Sequence, residues 1–344
     1  MSGPTPAPDA NLTAAPRANP TQAPSAAVLI RPHHFRPNPA TAIDNAFQTT
    51  GLGLRRDVSA AAYHASTAAA RRLTEAGVTV HLFDDETAEH PDSVFPNNWF
   101  STHNDGRIAL YPMYAQNRRG ERRPDVIEFL KFAYRVEEVT DYSGLELDGI
   151  HLEGTGAMVL DHTSRIAYTA RSRRADPKLL HRFCTAFGYE PMMFDARDEE
   201  GTPVYHTNVM MCVATDFALV CLDAIADVKL RSEVVGRLRE TGKTVVALTQ
   251  AQVRAFAGNA IELRGSSSRR LLALSTTAAA ALTPDQVEVV ESSCDLLALD
   301  VSPIELAGGS IRCMIAGIHL DPRTDPVAAP APRSAADDVV MIAS

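Results

Sequence analysis

The stretch EGTGAMVLDHTSRIAYTA, residues 153–170, decides the fold that this sequence predicts. Two apolar, β-rich runs flank the polar turn DHTS, a pattern that is typical of a β-hairpin. The stretch DPKLLHRFCTAFG follows at 176–188 and opens with Asp-Pro, as helix starts often do. The short apolar run PMMF follows at 191–194 and indicates a strand. The predicted unit is therefore a hairpin, a helix and a strand.

The same unit recurs along the middle of the chain. The sequence predicts further hairpins over 97–112, 206–223 and 260–275, helices over 124–133, 231–242 and 283–293, and closing strands over 136–139, 244–248 and 296–300. One register of the unit falls at Asn98, Glu153, His206, Asn259 and Cys313. The intervals are 55, 53, 53 and 54 residues, and five units of about 50 residues are typical of a closed ring of modules.

The fifth unit is split between the two ends of the chain. Its hairpin begins near Gly309, and its helix and closing strand are missing from the C-terminal end. Predicted strands over 27–32 and 79–83, with an Ala-rich helix over 58–77 between them, match the missing parts. We therefore expect the two ends to meet and close the ring, which also removes free sheet edges. The alternative is a two-domain α/β protein whose spacing is coincidental.

Composition sets the limits of this domain. Residues 1–26 are rich in Pro and Ala without apolar periodicity, so we expect a disordered arm; 321–344 predict a flexible tail, and 27–320 form a single domain. Lys and Arg number 33 against 42 Asp and Glu, a net charge of -9, which argues against a nucleic acid or an anionic membrane as partner. No stretch is long and apolar enough to span a bilayer.

The five cysteines favour a reducing compartment. An odd number at irregular spacing, without a signal segment, predicts neither a disulfide framework nor a zinc site, so a cytoplasmic location fits best. His33-His34 and the His81, Asp84, Asp85 group repeat no ligand spacing, and we predict no metal. Neither a nucleotide-binding glycine turn nor a phosphate loop occurs, so no cofactor is predicted. The oligomeric state, a homo-oligomer included, stays open.

Three residues of the repeated register carry the chemistry of covalent catalysis. Equivalent positions of a closed ring converge on its axis, so Cys313, His206 and Glu153 are expected to meet. A cysteine with a histidine and a carboxylate is the set needed to attack an electrophilic carbon. Cysteine is also among the most buried residue types, and Cys184, Cys212 and Cys221 fit that structural role. Cys313 differs because Gly308-Gly309 precede it closely, which indicates a bend or a close approach.

Four separated motifs resemble those of the guanidine-modifying superfamily. They are PDSVFPNNWFSTH at 91–103, HLEGTGAMVLD at 151–161, YHTNVMM at 205–211 and GGSIRCM at 308–314. This superfamily contains arginine deiminases, dimethylarginine dimethylaminohydrolases and amidinotransferases. The resemblance implies an α/β fold that is a five-bladed α/β propeller with pseudo-fivefold symmetry. It also implies Cys313 as nucleophile, His206 as general acid and base, and Glu153 as the partner of His206.

The branch that this chain resembles most is the citrulline-utilisation hydrolases. RPHHFRPNPATAIDNAFQ, residues 31–48, is similar to the opening motif of that branch. Deiminases usually place acidic residues where this chain has Asn98, with Asn97 before it, and Asn208. A guanidinium has only donors and calls for carboxylates, whereas an amide has a donor and an acceptor and matches a neutral ureido group. The alternative role of these asparagines is to hold turns.

The rest of an amino-acid substrate needs a carboxylate for its ammonium and a cation for its carboxylate. Asp92 resembles the superfamily residue near the α-amino group. Arg118 or Arg119 after the first hairpin, or Arg173 after the second, are candidates for the substrate carboxylate, since arginine binds a carboxylate through two bonds. Surface arginines are common, so each of them has a solvated alternative.

These features predict a cysteine hydrolase that acts on the ureido group of citrulline and gives ornithine, ammonia and carbon dioxide. The alternatives are an arginine deiminase or dimethylargininase that acts on a guanidinium substrate. Further alternatives are an amidinotransferase and a non-catalytic propeller that binds an amino acid. In each case the predicted partner is a small amino acid.

Overall fold

The fold consists of three-stranded sheets. Each sheet is accompanied by one long helix or by a pair of helices. The computed structural model describes residues 21–49, 56–267 and 269–324. The strands within this part of the chain are β1 Ala26–Pro32, β2 Thr79–Asp85, β3 Phe100–Thr102, β4 Arg107–Leu110, β5 Glu138–Asp141, β6 Met158–Asp161, β7 Ile166–Ala170, β8 Glu190–Phe194, β9 Met211–Val213, β10 Phe217–Val220, β11 Thr244–Ala247, β12 Ile261–Arg264, β13 Arg270–Ser275, β14 Cys294–Leu299 and β15 Ala316–Ile318. The α-helices are α1 Arg56–Glu75, α2 Pro124–Ala133, α3 Gly154–Ala157, α4 Pro177–Phe187, α5 Val228–Glu240, α6 Gln250–Arg254, α7 Thr276–Ala281, α8 Pro284–Glu291, α9 Ser302–Glu305 and α10 Ile311–Met314.

The predicted unit recurs in five sheets, in the orders β3-β4-β5, β6-β7-β8, β9-β10-β11, β12-β13-β14 and β15-β1-β2. In each sheet the central strand pairs antiparallel with the first strand and parallel with the last. A parallel pair needs a long crossover, and a helix supplies it each time. The hairpin, helix and strand order is therefore confirmed, and the chain has a mixed α/β fold.

The two ends of the described chain meet in one sheet. β15 pairs antiparallel with β1, with Ala26 opposite Ile318 and Val28 opposite Ala316. β1 pairs in parallel with β2 across helix α1. β15 also contacts β3, the first strand of the next sheet, and β9 contacts both β6 and β12. The expected meeting of the two ends is confirmed, because the fifth sheet takes strands from both.

Helix starts follow capping chemistry. The side chain of Asp176 accepts from the backbone N–H of Lys178 at 2.8 Å, just before α4. Asp227 makes the same kind of contact with the N–H of Lys229, also at 2.8 Å. The α5 helix therefore begins at Val228, three residues before the predicted start at 231.

The structure describes the inner ends of both predicted terminal segments, residues 21–26 and 321–324. The Nε2 of Gln22 lies in the predicted arm but donates to the backbone oxygen of Leu160 at 3.0 Å. The backbone oxygen of Asp321 lies in the predicted tail but accepts from the N–H of Arg135 at 2.8 Å. These backbone partners tie residues 21–26 and 321–324 to the domain. The rest of both segments lies outside the described residues.

Apolar side chains between the sheets and their helices form the core. The largest fully buried ones include Trp99, Tyr111, Tyr168 and Phe183. The helix α4 buries one face against β7 and β8, which is where its apolar residues recur at helical spacing. None of the helices that the structure describes is long and apolar enough to cross a membrane.

Three histidines in or beside this core form no ion pair with any residue that the structure describes. His103 is fully buried, and its ring bonds the hydroxyl of Ser101 at 2.8 Å. His162 stacks on His319 with their ring centroids 3.8 Å apart. Burial lowers the pKa of His103 and of His319 to about 3, and lowers the pKa of His162 well below its usual value.

We predict that these histidines make the protein acid-sensitive. Between pH 6.5 and pH 3 the unfolded chain binds protons that the folded rings do not, so the free energy of unfolding falls as the pH is lowered through this range. Each such ring contributes a slope of up to about 1.4 kcal/mol per pH unit. Denaturant unfolding at pH 7, 6 and 5 measures the total slope. His103→Gln should make it shallower, and His34→Gln, at an exposed histidine, should not; equal slopes in all three proteins would contradict the assignment.

Candidate active site

The residues of the repeated register lie on short helical turns that precede the first strand of each sheet. Asn98 ends a 3-10 turn before β3, and His206 begins one, Thr207–Val209, before β9. Glu153 lies at the start of α3, before β6. Cys313 lies in α10, before β15. The sequence predicted these segments as the beginnings of strands, and the turns instead direct their side chains towards one another.

Glu153 and His206 form a buried pair. The Nε2 of His206 lies 2.8 Å from Oε2 of Glu153, and both side chains are at most 2% exposed. Among the described residues, Nδ1 of His206 has no hydrogen-bond partner, so this nitrogen is available to exchange a proton. Burial lowers the pKa of His206, and the hydrogen bond that its Nε2–H donates to Glu153 opposes this effect. The ring is therefore neutral at neutral pH.

Two arginines keep Glu153 ionised. Burial alone raises the pKa of a carboxyl group, but Arg174, His206 and Arg118 together hold the pKa of Glu153 well below its usual range. Nη1 of Arg174 lies 3.5 Å from Oε2, and Nη1 of Arg118 lies 3.6 Å from the same oxygen. The other oxygen, Oε1, accepts from the backbone N–H of Tyr114 at 2.9 Å. The carboxylate is fixed on both sides, and it orients the imidazole.

Two amides surround the sulfur of Cys313. The Nδ2 of Asn208 lies 3.2 Å from Sγ, and Nδ2 of Asn259 lies 3.3 Å from it. The same Nδ2 of Asn259 also donates to the backbone oxygen of Asn208, and its Oδ1 accepts from the N–H of Arg312. N–H donors favour a sulfur that carries negative charge. The turn that holds the cysteine is thus tied to the two amides.

A cavity of about 260 Å³ brings the predicted residues together. Cys313 and His206 both line it, and so do Asn98, Asp92 and Arg118. Glu153 lies behind His206, and Asn208 behind Cys313. The remaining lining comes from Thr41, Asn45, Phe95, Arg174, Tyr205, Ala307 and Gly309.

Carboxylates outnumber guanidinium groups around this cavity. Arg118 pairs with Glu121 at 2.8 Å and lies 3.5 Å from Asp92. Arg174 pairs with Asp44 at 2.5 Å. With Glu153, four carboxylates therefore share two guanidinium groups. Oδ1 of Asp92 has no partner within the described residues, and burial raises the pKa of this carboxyl group despite the nearby Arg118.

The paired asparagines join this network. In the orientation that satisfies its neighbours, the amide oxygen of Asn98 accepts from Nη1 and Nη2 of Arg118 at 3.2 Å. The nitrogen then donates to Oδ1 of Asn97 at 3.1 Å. Asn97 is buried beside the cavity rather than in its lining. Oδ1 of Asn208 has no partner among the described residues, so one amide acceptor beside Cys313 is free.

Part of the segment 31–48, which resembles the opening motif of the citrulline-utilisation hydrolases, covers the cavity. The Nδ2 of Asn38 donates to Oδ2 of Asp92 at 2.8 Å, and Nδ2 of Asn45 donates to the backbone oxygen of Ala307 at 3.0 Å. Gly308 has a φ of +80°, and a Cβ there would meet the amide of Asn45. The glycine therefore allows the segment to approach the turn that carries Cys313.

Three arginines of the sequence analysis lie in different surroundings. Arg118 is buried at the cavity, where it pairs with carboxylates of the protein itself. Arg119 lies outside the lining, 3.4 Å from Glu146. Arg173 is exposed and borders a separate surface groove. The structure does not bring Arg173 to the cavity, because the chain turns its neighbour Arg174 inward instead.

Sequence reasoning missed Arg174, Asn259 and Tyr205 as site residues. Arg174 and Arg173 are adjacent, and no periodic signal decides which of them faces inward. Asn259 falls in the repeated register with Asn98, Glu153, His206 and Cys313, so the repeat itself contained the signal that could have found it. Tyr205 precedes His206, and its hydroxyl donates to the backbone oxygen of Gly308 at 2.6 Å. Among the described residues, no group of three or more His, Cys, Asp or Glu is placed to hold a metal ion.

Comparison with known families identifies the chain. The model of the family N,N dimethylarginine dimethylhydrolase, eukaryotic, matches residues 31–320. The chain belongs to this family. The match covers the whole cavity and confirms the resemblance to the guanidine-modifying superfamily. This dimethylarginine dimethylhydrolase family member is accordingly a hydrolase that acts on C–N bonds other than peptide bonds. No curated protein sequence matches the chain.

Solved structures with a similar fold come from related enzymes. The N-terminal domain of ArgZ, an arginine dihydrolase from the ornithine–ammonia cycle in cyanobacteria, solved with its substrate, superposes with a TM-score of 0.66 at 15% identity; the match covers 85% of this chain and 97% of that one. AgrE in complex with L-arginine has a TM-score of 0.67 at 16% identity over 88% of this chain and 41% of that one. A variant of dimethylarginine dimethylaminohydrolase with an S-methyl-L-thiocitrulline adduct has a TM-score of 0.59 at 15% identity over 85% and 99%. At these identities the likeness shows a shared fold.

We predict that Gly156 cannot carry a side chain. A Cβ at this position would lie 2.8 Å from Nδ1 of His206 and closer still to the side-chain amide of Asn98. Gly156→Ala should therefore displace the imidazole, and a misplacement of about 1 Å costs about 100-fold in rate. Steady-state kinetics and the melting temperature measure the two effects separately. Gly236→Ala in α5, where no atom lies within 4 Å of the added Cβ, should keep full activity; an equally active Gly156→Ala would contradict the prediction.

Proposed function

We propose that this protein hydrolyses a C–N bond at the side-chain end of an arginine-derived amino acid through a covalent adduct on Cys313. One observation carries the proposal: Cys313 and His206 line the same cavity of about 260 Å³, and Glu153 orients the imidazole from behind. A thiol, a base and a carboxylate in this arrangement are the parts that covalent catalysis requires. Glu153 acts by fixing and polarising His206.

In the proposed reaction His206 transfers two protons in succession, one from the thiol to the departing nitrogen and one from water back to the sulfur. Neutral His206 accepts the proton of the Cys313 thiol at Nδ1 while Sγ attacks the terminal carbon of the substrate. The imidazolium then gives this proton to the departing nitrogen, the C–N bond breaks, and an adduct remains on the sulfur. A water molecule loses a proton to His206 and attacks the adduct, and the thiol regains a proton as the C–S bond breaks. Asn208 and Asn259 donate to the sulfur whenever it is charged.

Citrulline is the substrate that the amides favour. The groups nearest Sγ are the side-chain amides of Asn208 and Asn259, and Asn98 lies on the other side of the cavity. Amides offer acceptors for the N–H groups of a ureido group and donors for its carbonyl oxygen. Expulsion of one amine and hydrolysis of the adduct leave a carbamic acid, and loss of carbon dioxide from this acid frees the second amine, so that the final products are ornithine, ammonia and carbon dioxide. The kinship with citrulline-utilisation hydrolases is part of this proposal and rests on residues 31–48 and on the amides.

A guanidinium substrate, arginine or dimethylarginine, is the second candidate. The charge of the site favours it, because three buried carboxylates and the half-buried Asp44 share two arginines, and Oδ1 of Asp92 is unpartnered among the described residues. A positively charged substrate would supply the missing charge. The family to which the chain belongs is named for dimethylarginine, and L-arginine is bound in AgrE.

For the amino-acid end of the substrate, Asp92 is the proposed partner of the ammonium group, since its Oδ1 is free at the cavity. Arg118 is a candidate for the carboxylate at the cavity. Arg173 is a candidate only for a substrate that reaches the surface groove, and Tyr205 borders both that groove and the cavity.

The finer architecture and the location of the protein are also proposals. We propose that the five sheets are blades of a closed α/β propeller, which the contacts of β15 with β3 and of β9 with β6 and β12 support. A reducing cytoplasm is the proposed location, supported by five unpaired cysteines. A homo-oligomer stays a prediction.

Activity assays test the proposed reaction. The purified protein is incubated with citrulline, arginine and dimethylarginine, and ornithine, citrulline and ammonia are measured. We expect ornithine and ammonia from citrulline. Release of citrulline from arginine or dimethylarginine, without consumption of added citrulline, would decide for the second candidate. Cys313→Ala should abolish turnover of every substrate, whereas Cys184→Ala, at a buried cysteine of α4, should retain it. Full activity of Cys313→Ala would overturn the covalent mechanism.

We predict that Asn98→Asp shifts the preference towards a guanidinium substrate. A carboxylate at this position can still accept from Arg118 but brings one more negative charge to the cavity. The ratio of kcat/KM for arginine to that for citrulline should rise by about tenfold, which corresponds to about 1.4 kcal/mol. Asn117→Asp, at an asparagine that bonds Asn38 outside the cavity lining, is the matched control and should leave the ratio unchanged. An unchanged ratio in Asn98→Asp would mean that Asn98 does not select the substrate.

A further inference from the structure

We propose that the protein binds a small oxyanion in a second interior site, built around Arg312, His162 and His319. Two adjoining cavities of about 390 Å³ and 300 Å³ share these three side chains in their linings. None of the three lines the cavity that holds His206. The inference does not depend on which substrate the enzyme takes.

The first strands of all five sheets line this second site. β6, β9 and β12 border the larger cavity, and β3 and β15 border the smaller one. The site therefore lies where the sheets converge, on rigid strands rather than on surface loops. Such a position suits a preformed binding site.

Arg312 supplies a positive charge that no carboxylate balances. Its Nη1 donates to the backbone oxygen of Ile315 at 3.0 Å. Within the described part of the chain, Nε and Nη2 have no partner, and no Asp or Glu lies within 4.0 Å of the guanidinium. Burial lowers the pKa of Arg312, and the thiols of Cys313 and Cys212 oppose this effect. A largely enclosed guanidinium without a counter-ion is costly, so a bound anion would be strongly favoured.

One of the two histidines can add a donor. Nδ1 of His162 bonds the hydroxyl of Tyr189 at 3.0 Å, and in the tautomer in which this nitrogen accepts, Nε2 carries the proton. The ring of His319 stacks on that of His162. Glu262 is the one carboxylate in the linings of these two cavities, and it is already engaged, with Arg270 at 2.8 Å and with the hydroxyl of Thr215 at 2.6 Å. The free donors of the site are therefore Nε and Nη2 of Arg312, to which His162 adds one N–H in that tautomer.

The chemistry of the donors selects the ligand. The two free N–H groups of a guanidinium lie parallel and match two oxygens of one oxyanion, whereas a halide accepts from a single point. We therefore assign the site to a small oxyanion.

The second site touches the catalytic turn. Arg312 precedes Cys313, and its backbone N–H donates to Oδ1 of Asn259 at 3.0 Å. Nδ2 of the same asparagine donates to the sulfur of Cys313. An anion bound to the guanidinium of Arg312 is therefore close to the nucleophile along two routes. Arg312 is adjacent to Cys313 in the chain, and the side-chain amide of Asn259 contacts both residues.

Inorganic phosphate is the probe for this site. Isothermal titration of the full-length protein with phosphate, in a buffer of constant ionic strength set with chloride, should show saturable binding of one ion. Arg312→Met keeps the length of the side chain and removes the charge, and it should weaken binding by about tenfold or more. Arg264→Met, at an exposed arginine at the end of β12, should bind as the natural protein does.

A second variant keeps the test decisive if Arg312→Met does not fold. His319→Asn keeps a polar side chain but removes the ring, and it should weaken phosphate binding by several-fold. Absence of saturable binding in the natural protein would overturn the proposal. Unchanged affinity in both variants would also overturn it, because phosphate would then bind elsewhere, such as at Arg118 and Arg174.

Discussion

The buried Glu153 carboxylate holds together the parts of the site that come from different sheets. Its partners are the N–H of Tyr114 after β4, Arg174 after β7 and His206 before β9. A carboxylate this far from water is tolerated only when it is fully paired, and loss of one partner of a buried ion pair costs about 3–5 kcal/mol. The same contacts that orient the imidazole therefore also fix the sheets relative to one another. Catalytic geometry and stability share these atoms.

The elements that could be predicted from the sequence are those with a local signal. The hairpin over 153–170 alternates around a polar turn, and the helix over 176–188 has a cap and an apolar face, so β6, β7 and α4 followed from them. The helical turns that carry Glu153, His206 and Cys313 are three or four residues long, too short for any periodicity to appear. The repeat of about 53 residues nevertheless predicted that these residues lie close together. Equivalent positions of equivalent units converge in a closed ring, and this does not depend on their local secondary structure.

Side-chain direction within loops was beyond the sequence. Arg173 and Arg174 differ by one position, and only the path of the chain after β7 decides that Arg174 enters the network while Arg173 stays exposed. The partners of Arg118 were equally hidden. Arg118 reaches the cavity as expected, but Glu121, three residues later, accepts from its Nε and Nη2. Such competition between partners depends on distances that no pattern of residue types encodes.

The split sheet has a consequence for the order in which the protein can form during synthesis. β1 is made near the start of the described chain, but its antiparallel neighbour β15 lies almost three hundred residues later. Cys313, whose sulfur contacts the amides of Asn208 and Asn259, lies in the same late segment as β15. A nascent chain that has four sheets complete is thus still without the proposed nucleophile, and the ribosome must extend it past residue 318 before the fifth sheet can form.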